Sequence, residues 1–206
     1  MTSTIHADKI MNSSGDQDSG VDLLVNDQVK LKTANTDRVT VTDATTTVAN
    51  DLAANTIKHT GGTTAMTIDS TGRILTPARP SFHVATTATQ DATTIVNWNT
   101  EIFDIGGNFN TTTNMFVAPI AGIYWFNCTA LQAGNGAQMT IALRKNSSDT
   151  GRFITRTDGD SGEHHSCSVS GLYNLAVDDT VEVYLTGGRI YGDSGYFTNF
   201  TGFLLG

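Results

Sequence analysis

The sequence predicts an all-β protein, with a C-terminal two-sheet sandwich preceded by a slender β-rich segment, on three observations. Charged residues are only 16% of the chain, while Gly is frequent and Thr abundant, against about a quarter charged in an ordinary globular domain. From Phe82 onward, short apolar pieces recur between Gly, Asp and Asn clusters without the apolar period of a helix. Within 122–128, Tyr124, Phe126 and Cys128 stand at alternate positions, which on a strand places all three on one face, and that face is predicted to be buried.

In chain order, residues 1–20 are polar and rich in Gly, Ser and Asp, with Ile5, Ile10 and Met11 as the apolar footholds. Alone they are expected to be disordered, and they read either as a loose terminus or as an arm that orders on docking to a larger particle. In 21–78 the alternating pairs Val29/Leu31, Val39/Val41 and Met66/Ile68, and the doublet Ile74-Leu75, are separated by Asn26-Asp27, Asp43, Gly61-Gly62 and the turn from Asp69 to Gly72. Each piece predicts a short strand bounded by turn formers. A two-stranded ribbon is marginal and the apolar surface is small, so these strands are expected to be buried only when three copies wind together as a shaft. Residues 47–59 can instead be one short helix: Leu52-Ala53-Ala54 favours it, and the Thr and Asn content does not. Pro77 and Pro80 stiffen the chain and set the expected boundary between the shaft, 21–78, and a domain, 79–206.

Nine strands are predicted in that domain, at 82–86, 95–99, 115–118, 123–131, 139–144, 153–157, 166–172, 180–185 and 196–204, the pattern of a sandwich. Trp98, Phe109 and Phe116 stand at long irregular intervals broken by Gly106-Gly107 and Pro119. They must therefore come from separate strands that converge with Tyr124 and Phe126 on one core and, in a trimer, on a threefold interface. If strands run alternately up and down, the loops 132–137, 158–165 and 187–195 fall at the end away from the shaft. The candidate contact residues there are Asp158, Asp160, Glu163, His164, His165, Arg189, Tyr191 and Asp193, although Tyr191 and Tyr196 read equally as packing residues.

Asp158-x-Asp160-x-Gly162 has the beginning of a calcium loop without the bidentate Glu that completes one, so calcium at Asp158 and Asp160 is the weaker reading beside a solvated acidic turn. His164-His165 have no third ligand fixed nearby for zinc. No cofactor is expected. The five His are scattered, and no nucleophile elbow, metalloprotease helix or phosphate loop is present, so an enzyme is not expected. Lys+Arg 12 against Asp+Glu 20 gives −8, which argues against nucleic acid. No apolar run is long enough to span a bilayer, and residues 1–8 lack the basic and apolar parts of a secretory signal, so the expected place of synthesis and assembly is a cytoplasm. Cys128 and Cys167 read as free buried thiols or as one bridge.

These residues resemble the C1q domain, the trimeric jelly-roll module related to the tumour necrosis factor fold. Phe109, Phe116, Gly122, Tyr124 and Phe126 stand at that pattern's aromatic, Gly and Tyr-x-Phe positions, with Asp104 at its Asn/Asp position. Trp98 replaces the usual Phe and Cys128 a ring. Phe200, Gly202 and Phe203, in the run 197–205, resemble the family's last strand, and 175–181 resembles its Gly-Asp turn, with Asp178 for Gly. Separately, 37–43 and 66–75 resemble the Thr-rich shafts of bacteriophage fibres. Together the resemblances imply a C1q/TNF-like jelly-roll knob on a trimeric β shaft: a homotrimeric virion fibre, assembled in a host cytoplasm. Its arm would join other virion proteins, and its knob would touch a host glycan or protein. The fibre could belong to tail or head; the alternatives are a capsid-decorating trimeric head fibre without a receptor role and a bacterial C1q-like surface-binding protein.

Overall fold

The computed structural model describes residues 9–11, 20–22, 28–33, 36–42, 46–48, 54–59, 61–91, 93–134, 136–159 and 162–206. The chain divides into two compact units, Met1–Thr56 and Ile57–Gly206.

The first unit is one antiparallel sheet in which each strand pairs with the next: β1 (Lys9–Met11), β2 (Gly20–Asp22), β3 (Gln28–Thr33), β4 (Thr36–Thr42) and β5 (Thr46–Val48). Val29 stands opposite Val41, and Leu31 opposite Val39, so the predicted alternating pieces are strands that pair within a single chain. Ile10 stands opposite Val21, so this part of 1–20 is paired with the chain that follows it. The rest of 1–8 and 12–19 lies outside the described residues.

The second unit starts before the predicted proline boundary. Strands β6 (Thr56–Lys58), β7 (Thr64–Ile68) and β8 (Ile74–Leu75) form a small sheet. The predicted helix at 47–59 is corrected: its described residues hold the end of β5 and all of β6, consistent with a Thr-rich stretch that favours extended backbone. Asp69 closes the β7–β8 turn, accepting from the backbone N–H of Thr71 and Arg73 and from the Arg73 guanidinium at 2.7 Å.

The sandwich then runs through β9 (Ser81–Ala85), β10 (Gln90–Asp91), β11 (Thr94–Ile95), β12 (Thr100–Ile105), β13 (Phe109–Asn110), β14 (Met115–Val117) and β15 (Gly122–Gln132). It continues with β16 (Met139–Lys145), β17 (Ser148–Thr157), β18 (Ser166–Leu175), β19 (Thr180–Gly187), β20 (Arg189–Tyr191) and β21 (Asn199–Leu204). One sheet has the order β10-β20-β15-β21-β9-β12, with β18 along the other edge of β15; the second has the order β13-β14-β19-β16-β17, with β11 on β19.

Two strand predictions are corrected. Of 95–99, only Ile95 is strand. Val96 N–H still donates to the Val183 carbonyl at 2.9 Å, and beyond it side chains replace the ladder: the Gln90 amide oxygen accepts from Asn97 N–H at 2.7 Å, and the Asn114 oxygen accepts from Trp98 N–H at 2.8 Å. The last strand begins at Asn199 rather than 196, because Tyr196 is left-handed, with φ 56, and donates its N–H to the Asp193 carbonyl at 3.2 Å.

The inner faces meet in an aromatic core. Phe82 lies 4.9 Å from both Phe109 and Phe200, Trp98 5.7 Å from Phe200, and Phe116 5.3 Å from Tyr124. Trp98, Tyr124, Phe126 and Phe200 are fully buried within the single chain, and Phe109 and Phe116 nearly so. All six rings are thus core residues, covered by their own chain. Gly122 opens β15 where its N–H neighbour Ile123 bonds the Gly206 carbonyl at 2.9 Å, and Gly202 is buried. Phe203 alone of the signature set points outward, beside Trp125 at 5.4 Å. Asp104 bridges the Gly106-Gly107 turn by accepting from Phe109 N–H at 2.8 Å. Asp178 is left-handed, with φ 67, the conformation that a Gly would have supplied.

Candidate functional site: the distal loops and an uncharged sheet face

Strand β15 sets the long axis of the sandwich. At its Gly122 end lie Gly206 and Leu204, whose N–H bonds the carbonyl of Pro80, the buried residue from which β9 starts. Eleven residues of strand, at about 3.3 Å each, carry its Gln132 end to the far side, where the three candidate loops meet. Gln132 N–H donates to the His165 carbonyl at 2.7 Å, Gly162 N–H to Gly134 at 2.9 Å, and Ala133 N–H to Arg189 at 3.0 Å. A Cβ on Gly159 would stand 2.1 Å from the Ala137 carbonyl oxygen, so only glycine lets the second loop lie against the first.

The structure unites most of the predicted contact residues at this end. His164 Nδ1 is 2.7 Å from the Gln132 carbonyl, and its ring packs 4.7 Å from Tyr191. Glu163 Oε2 is 3.9 Å from His165 Nε2. Arg189 forms an ion pair with Asp91 at 3.0 Å, and Asp193 accepts from Gly195 N–H at 2.7 Å. Asp158 accepts from the Gln138 amide at 3.2 Å. Asp160 lies outside the described residues, and among those described no three His, Cys, Asp or Glu side chains cluster as metal ligands.

Sequence reasoning missed what holds these loops. Buried Gln132 ties its own loop, donating to the Ala137 carbonyl at 3.0 Å and accepting from Gly134 N–H at 2.9 Å. The Thr198 hydroxyl, also buried, donates to the Tyr191 carbonyl at 2.8 Å and accepts from Leu131 N–H at 3.1 Å. A Gln ending a strand of alternating apolar residues was the one available signal, because a buried amide there must find partners. Cys128 and Cys167 are free, and burial pushes both thiols up, Cys167 to about 11.

The outward face of the β18-β15-β21-β9-β12 span is a second surface. One row across it is Leu172, Trp125, Phe203, Ser81 and Ile105. The next is Ser170, Asn127, Thr201, His83 and Phe103. Leu172, Phe103 and Ile105 are 53%, 44% and 42% exposed, large apolar exposure for one face.

Two facing sheets with this order and an inward aromatic core define a jelly-roll sandwich of the C1q and tumour necrosis factor kind. The C1q domain model matches residues 81–205, more than half of the chain, and the chain belongs to the C1q domain family. It is 28% identical over 102 residues to complement C1q tumor necrosis factor-related protein 3 of mouse, covering 50% of this chain and 41% of that protein. The human protein matches to the same extent. The chain therefore spans less than half the length of these curated relatives. Among solved structures, it resembles murine APRIL at pH 5.0, with TM-score 0.50 and 17% identity over 62% of this chain and 99% of that one. The globular domain of the zebrafish complement 1qA protein gives 0.48 and 21%, over 62% and 98%. At these identities the likeness is one of fold.

Proposed function

We propose that the chain is a non-enzymatic, homotrimeric adhesion fibre of a virion, in which the C1q domain touches a host-surface glycan or protein and the N-terminal segment joins the particle. One observation carries this reading: the three loops converge at the end of the sandwich opposite Pro80, so a surface for contact is held away from the point where the preceding chain joins. The outward sheet face supports the trimer, because so much exposed apolar surface beside neutral hydroxyls is what a self-association face requires. The Thr-rich strands of 37–43 and 66–75 support the fibre setting.

Gold-labelled antibody against the chain, applied to virus particles from the system that encodes it, together with competition of particle adsorption by purified full-length chain, tests the reading. Label at fibre ends with inhibition of adsorption is the expected result. Label confined to the capsid without inhibition would make it a decoration protein, and no label on particles would end the virion reading.

A further inference from the structure

The outward face bears on the homotrimer reading, on which the following inference rests. Between the levels of Ile123 and Thr129, its five strands present no Asp, Glu, Lys or Arg, although the chain carries −8. The acids of the same sheet, Glu101 and Asp104 on the edge strand β12, stand at the inward registers of Val84 and Phe82, and the Arg189–Asp91 pair lies at the distal end. This selects the occupant. A second copy of an acidic chain can approach here without acid facing acid, and the cation at the foot of the face, Arg79, favours an acidic neighbour. The mix of exposed apolar rows and neutral hydroxyl and amide groups matches the make-up of an interface.

One side chain in those rows can gain a charge. His83 lies on β9, half-buried, with its ring 6.0 Å from that of Phe103. Opposite it stand Phe103 on β12 and Thr201 on β21. The acids of β12, Glu101 and Asp104, are opposite Val84 and Phe82, which point inward, and β21 carries no titratable group. Arg79 lies at the foot of the face, lining a hollow of 310 Å³ with Phe103, Phe203 and Ser81. No carboxylate therefore faces the imidazole to welcome a proton.

With copies of the chain joined through this face, as the homotrimer reading has it, we propose that His83 makes the junction acid-sensitive, so that protonation of the imidazole loosens the trimer. Partial burial already holds the His83 pKa below its ordinary value, and a neighbouring copy laid over it would remove more water and lower it further. Above the free-chain pKa, His83 is neutral in both states and association has its full strength. Below it, separate chains take up protons that the trimer excludes, so association weakens as pH falls. If assembly lowers the pKa by about one unit, the loss is about tenfold per His83 and about a thousandfold in the trimer association constant.

The test is sedimentation velocity of the full chain at about pH 8 and about pH 5, with far-UV circular dichroism on the same samples. The expected result is a trimer at the higher pH, dissociation with retained β signal at the lower, and His83→Gln and His83→Thr chains that stay trimeric at both. A wild-type chain already monomeric at the higher pH would overturn the homotrimer reading and this inference with it. A wild-type trimer unmoved by acid, dissociation that accompanies loss of the β signal, or His83 variants that dissociate in step with wild type would overturn this inference and leave the trimer standing.

Discussion

Gly202→Ala tests how tightly the two sheets are packed. In a strand, Gly normally costs about 0.5–1 kcal/mol relative to Ala through lost backbone freedom, so at an open site the change would stabilise. Here a Cβ would stand 2.5 Å from Phe126 Cδ1, 2.7 Å from its Cε1 and 2.8 Å from Phe82 Cε1. Neither ring can turn aside, because Phe82 stacks on Phe109 and Phe116, and Phe126 lies 5.4 Å from Phe116 and 6.0 Å from Phe200. Overpacking of this kind costs about 1–3 kcal/mol, which exceeds the entropic gain, so the net expectation is a loss of about 1–2 kcal/mol. Urea denaturation at one fixed protein concentration reads this as a lower midpoint with an unchanged slope. Adding Phe126→Leu should restore part of the loss, a favourable coupling that marks the ring as the obstacle. A Gly202→Ala midpoint equal to or above wild type would refute the packing described for the core.

The Tyr124 hydroxyl donates to the Ile120 carbonyl at 2.9 Å, so Tyr124→Phe should cost about 1 kcal/mol. Tyr124→Ala should cost about 3–5 kcal/mol, read as a lower urea midpoint; a midpoint equal to wild type would contradict that. Buried Glu182 accepts from Arg144, whose guanidinium lies 3.6 Å from the Tyr184 ring centroid, and from the Ser147 hydroxyl at 2.9 Å. Arg144→Leu therefore strands a carboxylate and should cost about 3–5 kcal/mol by denaturation, most of it recovered when Glu182→Leu is added. Hydrogen bonds from Asn146, Lys145 and the Ala176 N–H hold the Asp179 carboxyl down from 3.8 to about 2. Because the folded value is the depressed one, this stabilisation is complete above the ordinary value and fades as pH falls towards about 2. Asp179→Asn should flatten that acid limb in a pH series of melting temperatures.

The fold was legible where alternation is clean. In β15 every second residue from Tyr124 to Gln132 is buried, and the sequence shows that spacing in Tyr124, Phe126 and Cys128. Strand β12 was invisible for two physical reasons: a register shift between Glu101 and Phe103 breaks its period, and Ile102, Phe103 and Ile105 are apolar yet exposed. The start of β17 reads as a turn in its polar residues. It becomes strand because Asn146 and Ser147, both at positive φ, turn the chain straight back on β16. At the distal end, strand alternation was enough to bring the three loops to one place. The ties of Thr198 to Leu131 and of Asp91 to Arg189 were not legible, since contacts across more than sixty residues, as between Leu131 and Thr198, leave no local pattern.

The distal surface also constrains how adhesion can work. Two hollows lined by described residues lie elsewhere, one of 350 Å³ beside Thr140, Ile154 and Arg156 and one of 310 Å³ on the uncharged face. The loop end presents tied backbones and side chains such as the His164–Tyr191 pair. In the proposed adhesive role a single shallow contact of this kind binds weakly and attachment draws on several at once: fixing three on one assembly turns the second and third contacts into intramolecular events and gains about 10²–10⁴ in avidity. Trp125→Glu separates the two contributions, because it places a charge on the uncharged face and leaves the distal loops at the other end of β15 untouched. A folded, monomeric Trp125→Glu chain should bind adsorbing host cells at least about a hundredfold more weakly than the trimer. Equal binding by the monomer would mean that one distal site suffices, and the three-site mechanism would be wrong.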